Sequence, residues 1–401
     1  MRGEWPDGWR RMPLAEAGKW LSGGTPSTGN SDYWAGDIPW ISAASLKQFR
    51  IADSDRRVTL LGAQSGSRLV GEGAVLFVVR GMSLKSEFRI GVTERQVAFG
   101  QDCKAIIAAD GIDPRFLAHA VQAQTPQILA MVEETSHGTG RLDTERLQEL
   151  EIGVPPVAEQ RRIVAAHAVV ERRIAALERV ARKRSVALDA ALELELGRYQ
   201  GAMTKLRHVA ESIEAGITLG SHRIPKKNIA GYLRVANVQK GWIDVGDIAD
   251  IEEDERDRPR YELGVGDVLV VEGHANPEQI GRCAVVGPQE SGLLYQNHLF
   301  RVRFTQVVPE FGMLWLNSST VRGYWKSRCA TSSGLYTING QMLAEVPFPR
   351  VSSSEQKRFL AGWKSGVSAL ERLRMQVDKL RTVQQGLMED LVIGRVSAPK
   401  E

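Results

Sequence analysis

Two stretches of the chain place apolar residues at alternating steps of three and four. In the first, Ile163, Val170, Ile174, Leu177, Ala181, Leu188 and Ala191 follow the rule; in the second, Phe359, Trp363, Leu370, Leu373, Val377, Leu380, Leu387 and Leu391 do. This is an a/d heptad seam, the mark of a helix that buries one stripe against another helix. Neither Pro nor Gly occurs from Val157 to Leu196, and Pro155-Pro156 marks the start. The second stretch opens at Ser352-Ser-Ser354, which offers N-cap residues before Glu355, and runs to about Ile393, where Gly394 is a stop signal. At 1.5 Å per residue, each makes a rod of about 60 Å. A globule of about 150 residues is narrower than that, so each rod needs the other as cover. His167, Arg184, Gly366 and Gln384 are misfits on the seam.

Elsewhere the pattern is that of short strands between Gly- and Pro-rich turns. Ile38–Ile41, Ala74–Val79, Lys104–Ile107, Val268–Val271 and Leu299–Phe304 are strand candidates. A helical stretch follows in each half, predicted over Pro114–Val132 and Glu310–Ser327. The halves repeat one another at an offset of about 194 residues. Gly23 and Thr25 match Gly216 and Thr218, Gly71–Val79 matches Gly264–Glu272, and Gln101 matches Gln296. Gly140 matches Gly334, Ile152–Pro155 matches Val346–Pro349, and Glu159-Gln160 matches Glu355-Gln356. One order and nearly one offset mean a duplication, the feature to settle before any other.

The predicted fold is therefore α+β, with two tandem homologous mixed α/β globules, 1–156 and 201–351. They are separated by two long helices, 157–200 and 352–396. The link Gly197–Thr204 is short, so the second globule starts near the end of the first rod. That favours an antiparallel coiled coil with pseudo-twofold symmetry over parallel rods, which would need a return connection of full rod length.

Composition narrows the class without fixing a function. Of 401 residues, 43% are apolar and a quarter charged, the balance of a soluble globular protein. No apolar run approaches the length of a membrane span. Met1–Asp7 lacks a secretory pattern, and three widely spaced cysteines, Cys103, Cys283 and Cys329, have no metal-site spacing. A cytoplasmic protein with reduced core thiols is expected. The net charge of +4 permits a nucleic-acid partner.

Two related heads on a rigid spacer suit a ligand that presents two separated sites, and duplex DNA does so at every helical turn. Two acid-free windows add to this. Glu214–Asp244 encloses Arg223, Lys226, Lys227, Arg234 and Lys240, and Glu310–Glu345 encloses Arg322, Lys326 and Arg328. Such stretches attract phosphate by counterion release.

The residues so far, with Gly23–Pro26, Pro39-Trp-Ile41, Leu233–Val238, Glu272–Arg282 and Gln296-Asn-His298, carry a family likeness. Val154-Pro-Pro-x-x-Glu-Gln160 and Val346-Pro-Phe-Pro-x5-Glu-Gln356, each opening a long helix, are its most specific part. End to end, the chain resembles the DNA specificity subunit of type I restriction–modification systems. The resemblance implies two target-recognition domains, each reading half of a bipartite sequence in double-stranded DNA, and a helix pair that sets the gap. It implies as partners two modification subunits, which carry S-adenosylmethionine, and restriction subunits. This chain would itself be non-catalytic and bind no cofactor. The residues agree, because there is no Asn-Pro-Pro-Tyr signature and no phosphate loop. A selector in a methylation-only system, or a coiled-coil scaffold whose two heads bind proteins or small ligands, fits the same pattern. The scaffold would show no salt-sensitive DNA binding.

Base reading needs Arg or Lys for guanine and Asn or Gln for adenine. In the first head these are expected after strand Val75–Val79, at Arg80, Lys85 and Arg89, and in Ser136–Arg141, with His137, Thr139 and Arg141. In the second they are His274, Asn276, Gln279 and the Thr331–Tyr336 segment, with Arg223, Lys226 and Lys227 as phosphate contacts. Asp267, Glu272 and His274 faintly resemble a nuclease cluster, but Gly266-Asp267 reads better as a turn before strand Val268–Val271.

Overall fold

The computed structural model describes residues 5–329 and 336–398. The chain divides into two compact units, one made of residues 1–179 and 375–401, the other of 180–374. Each unit contains one globule and one half of each long helix.

In the first unit a five-stranded sheet has the order Gly18–Ser22, Cys103–Ala108, Ala74–Val78, Ile90–Thr93, Arg50–Ile51. Ala74–Val78 is buried along its whole length, and the two-residue period of a strand explains how. Val75 and Phe77 face a core shared with helix Pro114–Ala123. Ala74, Leu76 and Val78 face a second core with Ile41, Phe99 and Ala105. A fully buried side chain of this size contributes roughly 1.5–3 kcal/mol, so this strand anchors the globule from both sides. A four-stranded sheet, Arg57–Val58, Trp34–Ile41, Val97–Phe99, Arg68–Val70, closes the second face.

The second unit repeats the plan. Its central sheet runs Ala210–Ala215, Leu299–Phe304, Val268–Val271, Cys283–Val285. Val268 and Val270 face one core, Leu269 and Val271 the other. Parallel pairing of Trp34–Ile41 with Val97–Phe99 recurs as Ile229–Leu233 with Leu294–Tyr295. The duplication read from the sequence is thus a duplication of topology.

The single helical stretches expected after the sheets are each two helices. Pro114–Ala123 is capped by Asp113, whose Oδ1 accepts from the amides of Arg115 (2.8 Å) and Phe116 (3.2 Å). Thr125–Ala130 follows with Pro126 in its first turn, and Val132 already belongs to a strand. In the second unit Pro309–Leu316 ends at Asn317, and the Ser318 side chain caps Ser319–Arg328. Proline tolerated only in a first turn and a serine cap make the breaks.

The long helices are Val157–Gly197 and Ser353–Val392. Ser352 begins the second with a capping box, its amide donating to Glu355 (3.1 Å) and its hydroxyl accepting from the Glu355 amide (3.4 Å). Gly394, at φ +76°, ends it. In the first unit Ile163 shares a core with Met388, Leu391 and Val392, and Arg381 pairs with Glu178 at 2.6 Å. In the second unit Leu188 faces Gly366, and Tyr199 packs edge-on against Phe359. Within both units rising numbers on one helix meet falling numbers on the other, so the helices pair antiparallel. Ile163, Ile174, Leu177, Leu370 and Val377 are buried, and Ala181, Leu188, Phe359, Leu373 and Leu380 half-buried.

Three of the misfits are answered across the seam. A Cβ at Gly366 would lie 2.7 Å from Leu188 Cδ1, so glycine makes room for that leucine. His167 Nε2 lies 3.0 Å from Gln384 Nε2, a polar pair in an apolar stripe. Arg184 is exposed and lies off the buried stripe. His119 and His167 are helix residues, as expected. Their rings lie 4.2 Å apart, with Phe49 stacked on His119 at 4.2 Å.

The Glu-Gln pair that opens each long helix has a shared purpose. Gln160 is fully buried. Its Oε1 accepts from the Asp113 amide (2.8 Å), and its Nε2 donates to the carbonyls of Pro155 (2.8 Å) and Gly111 (3.0 Å). Gln356, also buried, accepts from the Val308 amide (2.7 Å) and donates to the Val351 carbonyl (2.9 Å). Each glutamine ties the first turn of a long helix to the loop entering the globule's own helix.

Candidate nucleic-acid interface

In the first unit most of the predicted residues gather on one small sheet. Its strands are Val132–Glu134, Gly140–Leu142 and Arg80–Gly81, in that order. Arg141 stands directly opposite Arg80, and Gly140 opposite Gly81. A side chain at 140 would be crowded, since a Cβ would meet the Gly81 carbonyl oxygen at 3.2 Å and Leu84 Cβ at 3.4 Å. The connecting turn is closed by the Thr135 amide on the Thr139 carbonyl (2.9 Å), the Thr139 amide on Thr135 Oγ1 (3.2 Å) and Gly138 at φ +74°. His137 is exposed at its tip.

Lys85 and Arg89 are more committed. Lys85 pairs with Glu134 at 2.9 Å. Arg89 donates to Glu87 (2.8 Å) and to the Ala43 carbonyl (3.2 Å), half-buried in the wall of the globule.

In the second unit the matching ladder is Gly273–His274 with Tyr336–Thr337. Gly273 faces Thr337, and His274 faces Tyr336. The ladder matches Gly140 to Tyr336 rather than to Gly334; residues 331–335 of the predicted segment lie outside the described residues. Beyond His274 the chain forms a compact turn. The Asn276 amide donates to His274 Nδ1 (2.9 Å), Asn276 Oδ1 accepts from the Glu278 amide (2.9 Å), and Gln279 opposes Arg282 at 3.5 Å.

The acid-free windows are not acid-free in space. Arg223 is held inside by Asp257 (Nη2 to Oδ1, 2.9 Å) and the Glu252 carbonyl (3.2 Å). Both of its Nη groups are thereby committed to the fold, which sets it apart from the other expected phosphate contacts. Arg322 and Lys326 converge on Glu278, whose carboxyl is held below the usual range chiefly by Lys326. Lys226 and Lys227 behave differently. Their amides and that of Asn228 cradle the Glu252 carboxylate at 2.5, 2.9 and 3.1 Å, lowering its pKa. Both residues are exposed, and although the Lys226 charge adds to the lowering of Glu252, neither ammonium makes an ion pair within 4.0 Å among the described residues.

The faint nuclease cluster dissolves. Asp267 accepts the Gly264 amide (2.9 Å) and pairs with Arg303 (2.7 Å) behind Gly266 at φ +94°, a turn as expected. Glu272 contacts His298 at 2.5 Å. Among the described residues no cluster of His, Cys, Asp or Glu could hold a metal ion, and no helix is long and apolar enough to cross a membrane.

Residues 6–186 match the family model described as the type I restriction modification DNA specificity domain. The specificity subunit of the type I restriction enzyme EcoR124I/EcoR124II from Escherichia coli is 29% identical over 153 residues, 38% of this chain and 38% of the relative. The chain therefore matches about two fifths of that relative's length. Across 98% of the chain the fold is that of a solved structure described under complex assembly and conformational transition of the type I R-M system (TM-score 0.66, 16% identity, all of that chain). The crystal structure of the HsdS subunit from Thermoanaerobacter tengcongensis is similar over 98% of this chain and 99% of its own (TM-score 0.55, 16% identity). The likeness read from the sequence thus meets a family model over residues 6–186 and a shared fold over nearly the whole chain.

Proposed function

From the match of residues 6–186 to the type I restriction modification DNA specificity domain, we propose that the chain is the sequence-selecting subunit of a type I restriction–modification complex. The observation that carries the reading is the doubled plan. Two globules share one topology and one exposed ladder but place different side chains on it. A scaffold binding one kind of partner twice would keep those side chains alike, whereas two readers of different half-sites must differ.

In this reading 1–156 and 201–351 are the recognition domains for double-stranded DNA. The paired helices space the half-sites and dock two modification subunits, which bring S-adenosylmethionine, while restriction subunits complete a cytoplasmic assembly. The chain itself does no chemistry. Val169, Val180, Val186 and Leu194, all exposed along the first long helix, support docking of a partner there.

Selection from a randomised duplex library should recover a bipartite motif with a fixed gap. Removing one heptad from each long helix, in matched positions, shortens the spacer by about 10 Å, or about three base pairs. An unchanged gap would show that the helices do not measure it.

A further inference from the structure

Arg80 and Arg141 are directly opposed across an antiparallel ladder. Like charges so placed repel. Among the described residues neither guanidinium has an ion pair or a side-chain hydrogen bond to relieve this. On the other side of Arg141 the strand places Glu133 directly opposite, but that carboxylate pairs with Arg146 (3.6 Å), and its neighbour Glu134 pairs with Lys85 (2.9 Å). Both arginines are exposed, Arg141 between buried Gly140 and Leu142, and Arg80 after buried Val79. Two unpaired cations on a rigid strand rung await an electron-rich partner.

The second unit says which kind. The rung equivalent to Arg80–Arg141 is Gly273–Thr337, and the rung equivalent to Gly81–Gly140 is His274–Tyr336. The backbone pairing persists while every side chain on it changes. Phosphate contacts set register and carry no sequence information, so both units would need cations at an anchoring rung. A rung cationic in one unit and uncharged in the other behaves as a reading position.

We propose that Arg80 and Arg141 are the guanine readers of the first recognition domain, each offering its planar fork to O6 and N7 of a guanine in the major groove. Directly opposed residues have Cβ atoms about 4.5–5.5 Å apart, close enough to the 3.4 Å base step for the pair to serve neighbouring base pairs. The proposal rests on the reading of each unit as a recognition domain for duplex DNA.

Arg80→Lys and Arg141→Lys test it, because lysine keeps the charge but loses the fork. The full chain, in complex with its modification subunits, is used to select from a randomised duplex library at two or more salt concentrations. Each variant should lose preference for guanine at one position of one half-site by roughly 5- to 150-fold. The other half-site, the gap and the salt dependence should stay as they were. Lys226→Ala is the contrast, expected to weaken all sequences alike and to flatten the salt dependence by about one contact. If the lysine variants retain the full motif, or bind every sequence equally less well, the pair does not read guanine and the proposal falls while the selector reading stands. If the unaltered complex selects no bipartite motif, both fall.

Discussion

Replacing Gln160 by leucine tests whether the glutamine opening each long helix is a latch between spacer and globule. The side chain is fully buried, and its amide satisfies three backbone groups: the Asp113 amide and the carbonyls of Gly111 and Pro155. Leucine fills the volume but leaves all three without a partner. A buried polar group stripped of its hydrogen bond costs roughly 1–3 kcal/mol; most of these groups are only partly buried, so about 1–2 kcal/mol each gives a loss of about 3–6 kcal/mol. Gln356 makes two such bonds, and Gln356→Leu should cost about 2–4 kcal/mol. Glutamate at 160 would not rescue, since a carboxylate can accept from Asp113 but faces two carbonyl oxygens. Urea unfolding gives the stability, and hydrogen exchange over Pro114–Ala123 shows whether the loss begins at the latch. A cost for Gln160→Leu below 1 kcal/mol, or a larger cost at Gln356, would refute the reasoning.

The seam and the histidine cluster give two further expectations. Gly366→Leu should cost about 1–3 kcal/mol by overpacking, and Leu188→Ala in the same chain should recover part of it; additive losses in a double-mutant cycle would mean the two positions do not meet. Burial, with His167 nearby, pushes the His119 imidazole down to about 3, against about 6.5 in the unfolded chain. The folded state thus binds fewer protons, so its stability is full above pH 6.5 and falls as the pH drops toward 3. The loss at pH 5 is about 2 kcal/mol. His119→Phe, which keeps the stack on Phe49, should remove that part of the slope between pH 7 and 5; an unchanged slope would place the titration elsewhere.

What the sequence makes legible follows from the range of each interaction. The heptad seam is local and periodic, so the helices, their antiparallel pairing and most buried positions can be read before any coordinates. The strands are equally plain, because Ala74–Val78 and Val268–Val271 are apolar on both faces and bounded by glycine. The seam's misfits are harder. A histidine, a glycine and a glutamine on an apolar stripe look like noise until register shows Gly366 facing Leu188 and His167 beside Gln384. The paired Glu-Gln motif is visible as a repeat, but nothing along the chain says that its glutamine reaches back 47 residues to cap a loop.

Charge is read least well, since a one-dimensional window counts neighbours in sequence and a guanidinium answers to neighbours in space. Arg223 lies in an acid-free stretch, yet Asp257, 34 residues on, holds it inside the globule. Arg322 and Lys326 lie in another, yet both close on Glu278. Arg80 shows the converse. Its nearest carboxylate in sequence is Glu87, seven residues on, a spacing that gives no hint of isolation. The fold sets it against a second arginine and ties up the acids of the adjoining strand. Net charge therefore marks a class of partner, whereas only the fold shows which cations are already spoken for. Among the candidates read from the sequence, Arg80, Arg141, Lys226 and Lys227 make no ion pair among the described residues, whereas Arg223 is held by Asp257.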